Sequence, residues 1–95
     1  MAKSINPADL GFFSTLISSG SLGAAARELG VTTAAVSKHL AQMESRLGLV
    51  LVNRTTRRMS LTHEGEIYLD HARRILGEID DLEHMLWAST KAPHG

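Results

Sequence analysis

Glycines at positions 20, 30 and 48 punctuate the first half of the chain, and the segments between them carry apolar residues at helical spacing. Leu10, Phe13, Leu16 and Ile17 recur on one face of the first segment, and Val36, Leu40, Met43 and Leu47 on one face of the third. That period marks amphipathic helices, each burying a single stripe. Each segment also opens on a suitable cap: Asn6 ahead of Pro7 and Asp9, then Ser21, then Thr32. Helices are therefore expected from Pro7 to about Ser19, from Leu22 to about Leu29, and from Thr33 to about Leu47. The middle one contains Ala24-Ala25-Ala26, whose lack of bulk permits close crossing by its neighbours.

Beyond Gly48 the pattern changes. Val50-Leu51-Val52 and Met59-Ser60-Leu61 read as two short strands, joined by Asn53-Arg54-Thr55-Thr56-Arg57-Arg58 into a hairpin with a basic tip. Thr62, with Glu64 in the first turn, then opens a fourth helix expected to run unbroken to about Trp87. Along it Tyr68, Ala72, Ile75, Ile79, Leu82 and Leu86 alternate spacings of four and three, the rhythm of a coiled-coil seam. A small domain cannot cover such a stripe alone, and a second copy of the same helix is the simplest cover. The rest of a longer protein is the competing cover. Ala88 to Gly95 lack periodicity and are expected to form a frayed linker.

Charge is divided in the same way. Up to Thr62, Lys3, Arg27, Lys38, Arg46, Arg54, Arg57 and Arg58 outnumber Asp9, Glu28 and Glu44 by four, although the whole chain is formally neutral. Beyond it, acidic residues outnumber basic ones by the same margin. Such asymmetry assigns a polyanion to the first part and water or protein to the second. The third helix adds a shape argument. Opposite its apolar stripe it presents Thr33, Ala34, Ser37, Lys38 and Ala41, small or polar groups where a solvated helix carries several long charged ones. The face is suited to close approach.

The layout is that of a mainly α winged helix-turn-helix: a three-helix core, a short β-hairpin wing and a long linker helix. Residues Gly20 to Glu66 go further. The Ala25-Ala26 pair, Ala35-Val36-Ser37, Met43-Glu44 with Leu47-Gly48, Asn53-Arg54-Thr55, and Leu61-Thr62 with Glu64-Gly65 together resemble the signature of LysR-type transcriptional regulators, specifically their N-terminal DNA-binding domain with its linker helix. The resemblance implies sequence-specific binding to promoter DNA, with the helix from Thr33 lying in the major groove. The implied DNA contacts are Thr32, Thr33, Ala34, Ser37, Lys38 and His39, together with Arg54, Arg57 and Arg58 of the wing. His39, Arg27 and Arg46 have an equally ordinary reading as surface residues. The family pattern usually reads Ser-Gln-Pro or Ser-Gln-Ser at positions 32 to 34, so Thr33 departs from it. A glutamine pairs bidentately with adenine, whereas threonine offers one hydroxyl and a methyl suited to thymine. Lys38 stands where the family places arginine, keeping the charge without the fork.

The resemblance further implies an antiparallel homodimer through the fourth helix, an imperfect palindromic target, and a small-molecule effector sensed only by a C-terminal domain that this chain lacks; a tetramer stays open for the intact regulator. The expected division is 1–61 as DNA-binding domain, 62–87 as linker and dimerisation helix, and 88–95 as flexible tail. The absence of cysteine, of a signal-peptide core and of a membrane-length apolar run suits a cytoplasmic protein. Enzymatic readings fare poorly. His63-Glu64 lacks the second histidine of a zinc-hydrolase helix, the remaining histidines are scattered, and no nucleophile-base pair stands out. No catalytic residue, metal or cofactor is expected. The competing class is a dimeric adaptor that uses the long helix and hairpin for protein contacts, without DNA.

Overall fold

The computed structural model describes residues 4–54 and 59–91. Its elements are α1 (Pro7–Ser19), α2 (Leu22–Leu29), α3 (Thr33–Leu47), β1 (Val52–Asn53), β2 (Ser60–Leu61) and α4 (His63–Lys91). All three expected caps are made: Asn6 Oδ1 accepts from Ala8 N at 3.1 Å, Ser21 Oγ from Ala24 N at 3.0 Å, and Thr32 Oγ1 from Ala35 N at 3.1 Å. Each such cap stabilises by about 1 kcal/mol. Gly30 ends α2 at φ 71°, where a Cβ is costly, and its N–H turns back to the carbonyls of Ala26 and Arg27. Only Val31 then separates that glycine from the Thr32 cap, so α2 and α3 are joined by a tight turn.

The core lies where α1, α2 and α3 meet. Phe13, Leu16, Ala25, Val36, Leu40 and Met43 are buried there, with Leu51 and Val52 of the hairpin and Leu69 of α4 closing it. Burying a large apolar side chain is favourable by about 1.5–3 kcal/mol, so this one cluster dominates the stability of so short a chain. Ala25 and Ala26 occupy the crossing of α2, as their small size predicts.

The hairpin departs from expectation. Among the described residues its antiparallel pairing joins Val52↔Leu61 and Asn53↔Ser60, so β1 begins two residues later than Val50. Side chains take the place of the missing ladder. The amides of Leu51 and Val52 both donate to Glu44 Oε2, at 2.7 and 3.1 Å, while Thr62 Oγ1 donates to the Val50 carbonyl at 2.6 Å. With its polar groups satisfied by α3 and by the start of α4, the 50–51 segment has no need of a partner strand.

Thr62 also accepts from Gly65 N at 3.0 Å, as a helix cap does. From there α4 spans 29 residues, about 44 Å at helical rise, and accounts for much of the 55 Å length of the molecule. It ends at Lys91 rather than near Trp87. Ala88 to Lys91 are therefore helical, which corrects the expected linker over that stretch; the strong stop in the sequence is Pro93, and 92–95 lie outside the described residues.

Candidate nucleic-acid interface

α3 is anchored through one face and open on the other. Val36, Leu40 and Met43 are buried, whereas Thr33, Ala34, Lys38 and Ala41 are exposed and Ser37 is half-buried. The expected contact residues of the helix are thus brought to one solvent-facing surface, with its N-terminal turn leading. Thr32 is exposed too; its hydroxyl oxygen accepts from Ala35 N in the cap, which leaves its hydrogen and a second lone pair for an outward contact.

His39 belongs elsewhere. Its Nε2 lies 2.8 Å from Asp9 Oδ1, and its ring stacks on Phe12 with centroids 3.7 Å apart and planes 15° from parallel. Arg46 reaches the other oxygen of the same carboxylate, Nη1 to Oδ2 at 2.7 Å. Asp9 is buried, so two α3 side chains satisfy the charge of an α1 acid and fasten the helix to the core. A dipole-facing role for Asp9 understates this. Its place among Leu10, Phe12, Phe13 and Leu16 was the available signal, because an acid on an apolar face needs partners. Tyr68 of α4 sits beside the group, edge-on to Phe13 at 4.9 Å. Burial first, and the Asp9 carboxylate second, push its phenol up to about 12, with Arg46 opposing.

Arg54 stands at the base of the wing, its Nη2 3.2 Å from Glu44 Oε1. Arg57 and Arg58 lie outside the described residues. Glu44 itself was visible to sequence reasoning only as part of a motif, not as the group joining helix to wing. Among the described residues no group of three or more His, Cys, Asp or Glu side chains is placed to hold a metal ion, and no helix is long and apolar enough to cross a membrane.

The second surface is apolar. Ile75, Ile79, Leu82 and Leu86 are all exposed along α4, as are Met85 and Trp87. Ala72, expected on the same seam, is instead buried within the chain, and Tyr68 is half-buried against the core. The reason is packing: this turn of α4 is where the helix lies on the domain, so the seam open to a partner begins only at Ile75. Ile75 also borders a shallow apolar groove formed with Leu10, Leu47, Leu51, Tyr68 and Ala72.

The profile of the bacterial regulatory helix-turn-helix proteins of the lysR family matches residues 7–66. The chain belongs to the LysR family. Among its relatives, an HTH-type transcriptional repressor of Pseudomonas aeruginosa is 42% identical over 83 residues, covering 87% of this chain and 26% of the relative. The regulator CrgA of Neisseria meningitidis is 40% identical over 90 residues, covering 95% and 30%. The CbnR DNA-binding domain, solved in complex with DNA, superposes with a TM-score of 0.77 at 29% identity, covering 90% of this chain and 99% of that one. The LysR winged helix-turn-helix followed by a long helix is thus the fold, as the resemblance implied. The relatives are transcriptional regulators, a non-enzymatic family, and this LysR chain spans under a third of the length of those two curated relatives.

Proposed function

We propose that this chain binds double-stranded promoter DNA sequence-specifically, as an antiparallel homodimer on an imperfect palindrome. The observation that carries the reading is the open face of α3, where Thr33, Ala34, Lys38 and Ala41 stand exposed with no acidic side chain among them. A helix of that profile fits the major groove with its N-terminal residues at the base edges. In this reading Thr33 faces a base and Ser37 a base or phosphate. Lys38 neutralises a phosphate, as do Arg54, Arg57 and Arg58 from the wing, and such contacts give affinity before sequence. His39 holds α3 against Asp9 rather than touching DNA.

The exposed stripe from Ile75 to Leu86 supports pairing of two copies through α4, which fixes the separation of two α3 helices and hence the symmetry of the target. Residues 1–61 act as the reading head and α4 as the spacer. The far greater length of the relatives leaves room in an intact regulator for an effector domain, through which a small molecule and a tetramer would enter. The protein works in the cytoplasm, where its target is.

Salt titration tests the reading. Four cations per protomer on two half-sites correspond to a log-log slope of affinity against salt of about −4 to −7, allowing for incomplete engagement. Fluorescence anisotropy with a duplex selected by this chain from a random pool should show that slope, and a scrambled duplex should bind far more weakly. A chain that forms no salt-sensitive complex with either duplex is the adaptor instead.

A further inference from the structure

We infer that Glu44, which faces no base in this reading, is a specificity-determining residue: its carboxylate holds and neutralises Arg54 until the wing is seated on its proper site. The inference rests on the DNA-binding reading above and concerns how that surface is regulated.

The described part of the wing contributes two register pairs, too few for an independently stable hairpin. Its orientation comes from its flanks. Thr62 ties it to α4 by donating from Oγ1 to the Val50 carbonyl and from its backbone N–H to the Leu51 carbonyl. Glu44 ties it to α3, taking the amides of Leu51 and Val52 on Oε2 and the guanidinium of Arg54 on Oε1. The carboxylate is largely enclosed, whereas the Arg54 side chain keeps 37% of its surface exposed. One end of the pair is therefore fixed in the protein and the other is open to solvent.

Two consequences have the same sign for discrimination. A guanidinium already paired with a carboxylate presents little net charge to a passing phosphate, so random duplex gains less from it. A correctly placed phosphate, by contrast, finds Nη1 and Nε without a partner among the described residues, on a side chain already oriented, which reduces the ordering cost of the specific contact. Without Glu44 the first effect strengthens non-specific binding and the second weakens specific binding. Either way the ratio falls.

Glu44→Gln isolates the effect, because the amide oxygen still accepts from Leu51 and Val52 while the charge and the acceptor for Arg54 are gone. Affinities are measured by anisotropy for two duplexes of equal length, one selected by the wild-type chain from a random pool and one scrambled, across a salt series. We expect the specific-to-scrambled ratio to fall about tenfold and the scrambled-duplex salt slope to steepen by about one per half-site, the signature of an added free cation on each protomer. In an Arg54→Ala background the same Glu44→Gln change should alter the slope by nothing measurable, and circular dichroism confirms the fold of each variant. An unchanged ratio and slope in folded Glu44→Gln overturns the inference while leaving DNA binding intact. A full effect persisting without Arg54 overturns it also. Wild-type chain that binds neither duplex overturns both this and the reading it rests on.

Discussion

Gly65, in the first turn of α4, lies directly against the main chain of Leu51, so that a Cβ added there would overlap the Leu51 carbonyl oxygen. The contact is backbone to backbone and cannot be relieved by turning a side chain. Gly65→Ala is accordingly expected to destabilise the fold by about 2–3 kcal/mol, within the usual range for overpacking. Gly77, on the same helix, has nothing within 4 Å of the corresponding position. There alanine should stabilise by about 0.8–1 kcal/mol through helix propensity alone. Urea denaturation of both variants checks the pair, and equal signs would show that α4 does not sit on the wing as described.

Asp9 carries the attachment of α3 to α1. Asp9→Asn preserves volume but replaces one acceptor oxygen with a donor facing His39 or Arg46. Charged hydrogen bonds of this kind contribute about 1.5–3 kcal/mol, and the partial exposure of both partners reduces that to an expected loss of about 1–2 kcal/mol. A denaturation midpoint equal to wild type would assign the carboxylate no structural role.

These contacts mark where sequence reasoning stopped. The helices were legible because each carried its own punctuation, so α1, α2 and α3 fall between the residues that their caps and glycines named. Local signals fail where polar groups are satisfied across elements. β1 starts late because Glu44, seven and eight residues upstream, takes the amides that a strand would have paired. Ala72 fits a perfect seam by spacing, yet spacing cannot say which turn of a long helix the domain itself covers. The open face of α3 is legible for the opposite reason: Thr33, Ala34, Lys38 and Ala41 are what the core leaves unused.

Tyr68 offers a direct optical reading of its surroundings, being the single tyrosine of the chain. Its phenol ionises at about 12 in the folded chain against an ordinary value of 10.0, principally because burial disfavours the anion. The folded state holds this proton more tightly than the unfolded one. The stabilisation is therefore fully present below about pH 10 and is lost as pH rises through about 12. Phenolate absorbance against pH should show the late midpoint in native protein and the ordinary one in urea. Asp9→Asn should move the native midpoint downward, since that carboxylate raises it; a midpoint near 10 in native wild type would mean that the ring is solvated.

On α3, Lys38 and Thr33 should fail differently. In the proposed reading Lys38→Ala removes a phosphate-neutralising cation, so affinity is expected to fall about equally for all duplexes and the salt slope to flatten by about one per half-site. Thr33→Gln instead changes the group offered to a base edge, and should redirect preference toward adenine at one step by about 1–3 kcal/mol. Random-pool selection with each variant distinguishes the outcomes. Identical consensus sites from wild type and Thr33→Gln would remove Thr33 from the base contacts.

The seam of α4 yields the sharpest contrast between exposed and buried apolar positions. Ile79 and Leu82 are 47% and 56% exposed, whereas Ala72 is inaccessible. If two chains pair through the exposed stripe, two-fold symmetry counts each substitution twice, so losing about 1.5–3 kcal/mol per side chain doubles on assembly. Ile79→Glu or Leu82→Glu should then weaken dimerisation by about 100-fold or more, measured by sedimentation equilibrium, while melting of the domain core is little changed. Binding to a palindrome should collapse toward that of a half-site. Ala72→Glu should instead unfold the chain, because its carboxylate would be buried without a partner. Trp87, the single tryptophan and 61% exposed on the same stretch of helix, supplies a fluorescence signal for pairing. Glutamate at 79 and 82 that leaves both the dimer and the tryptophan spectrum untouched would place the interface on another face.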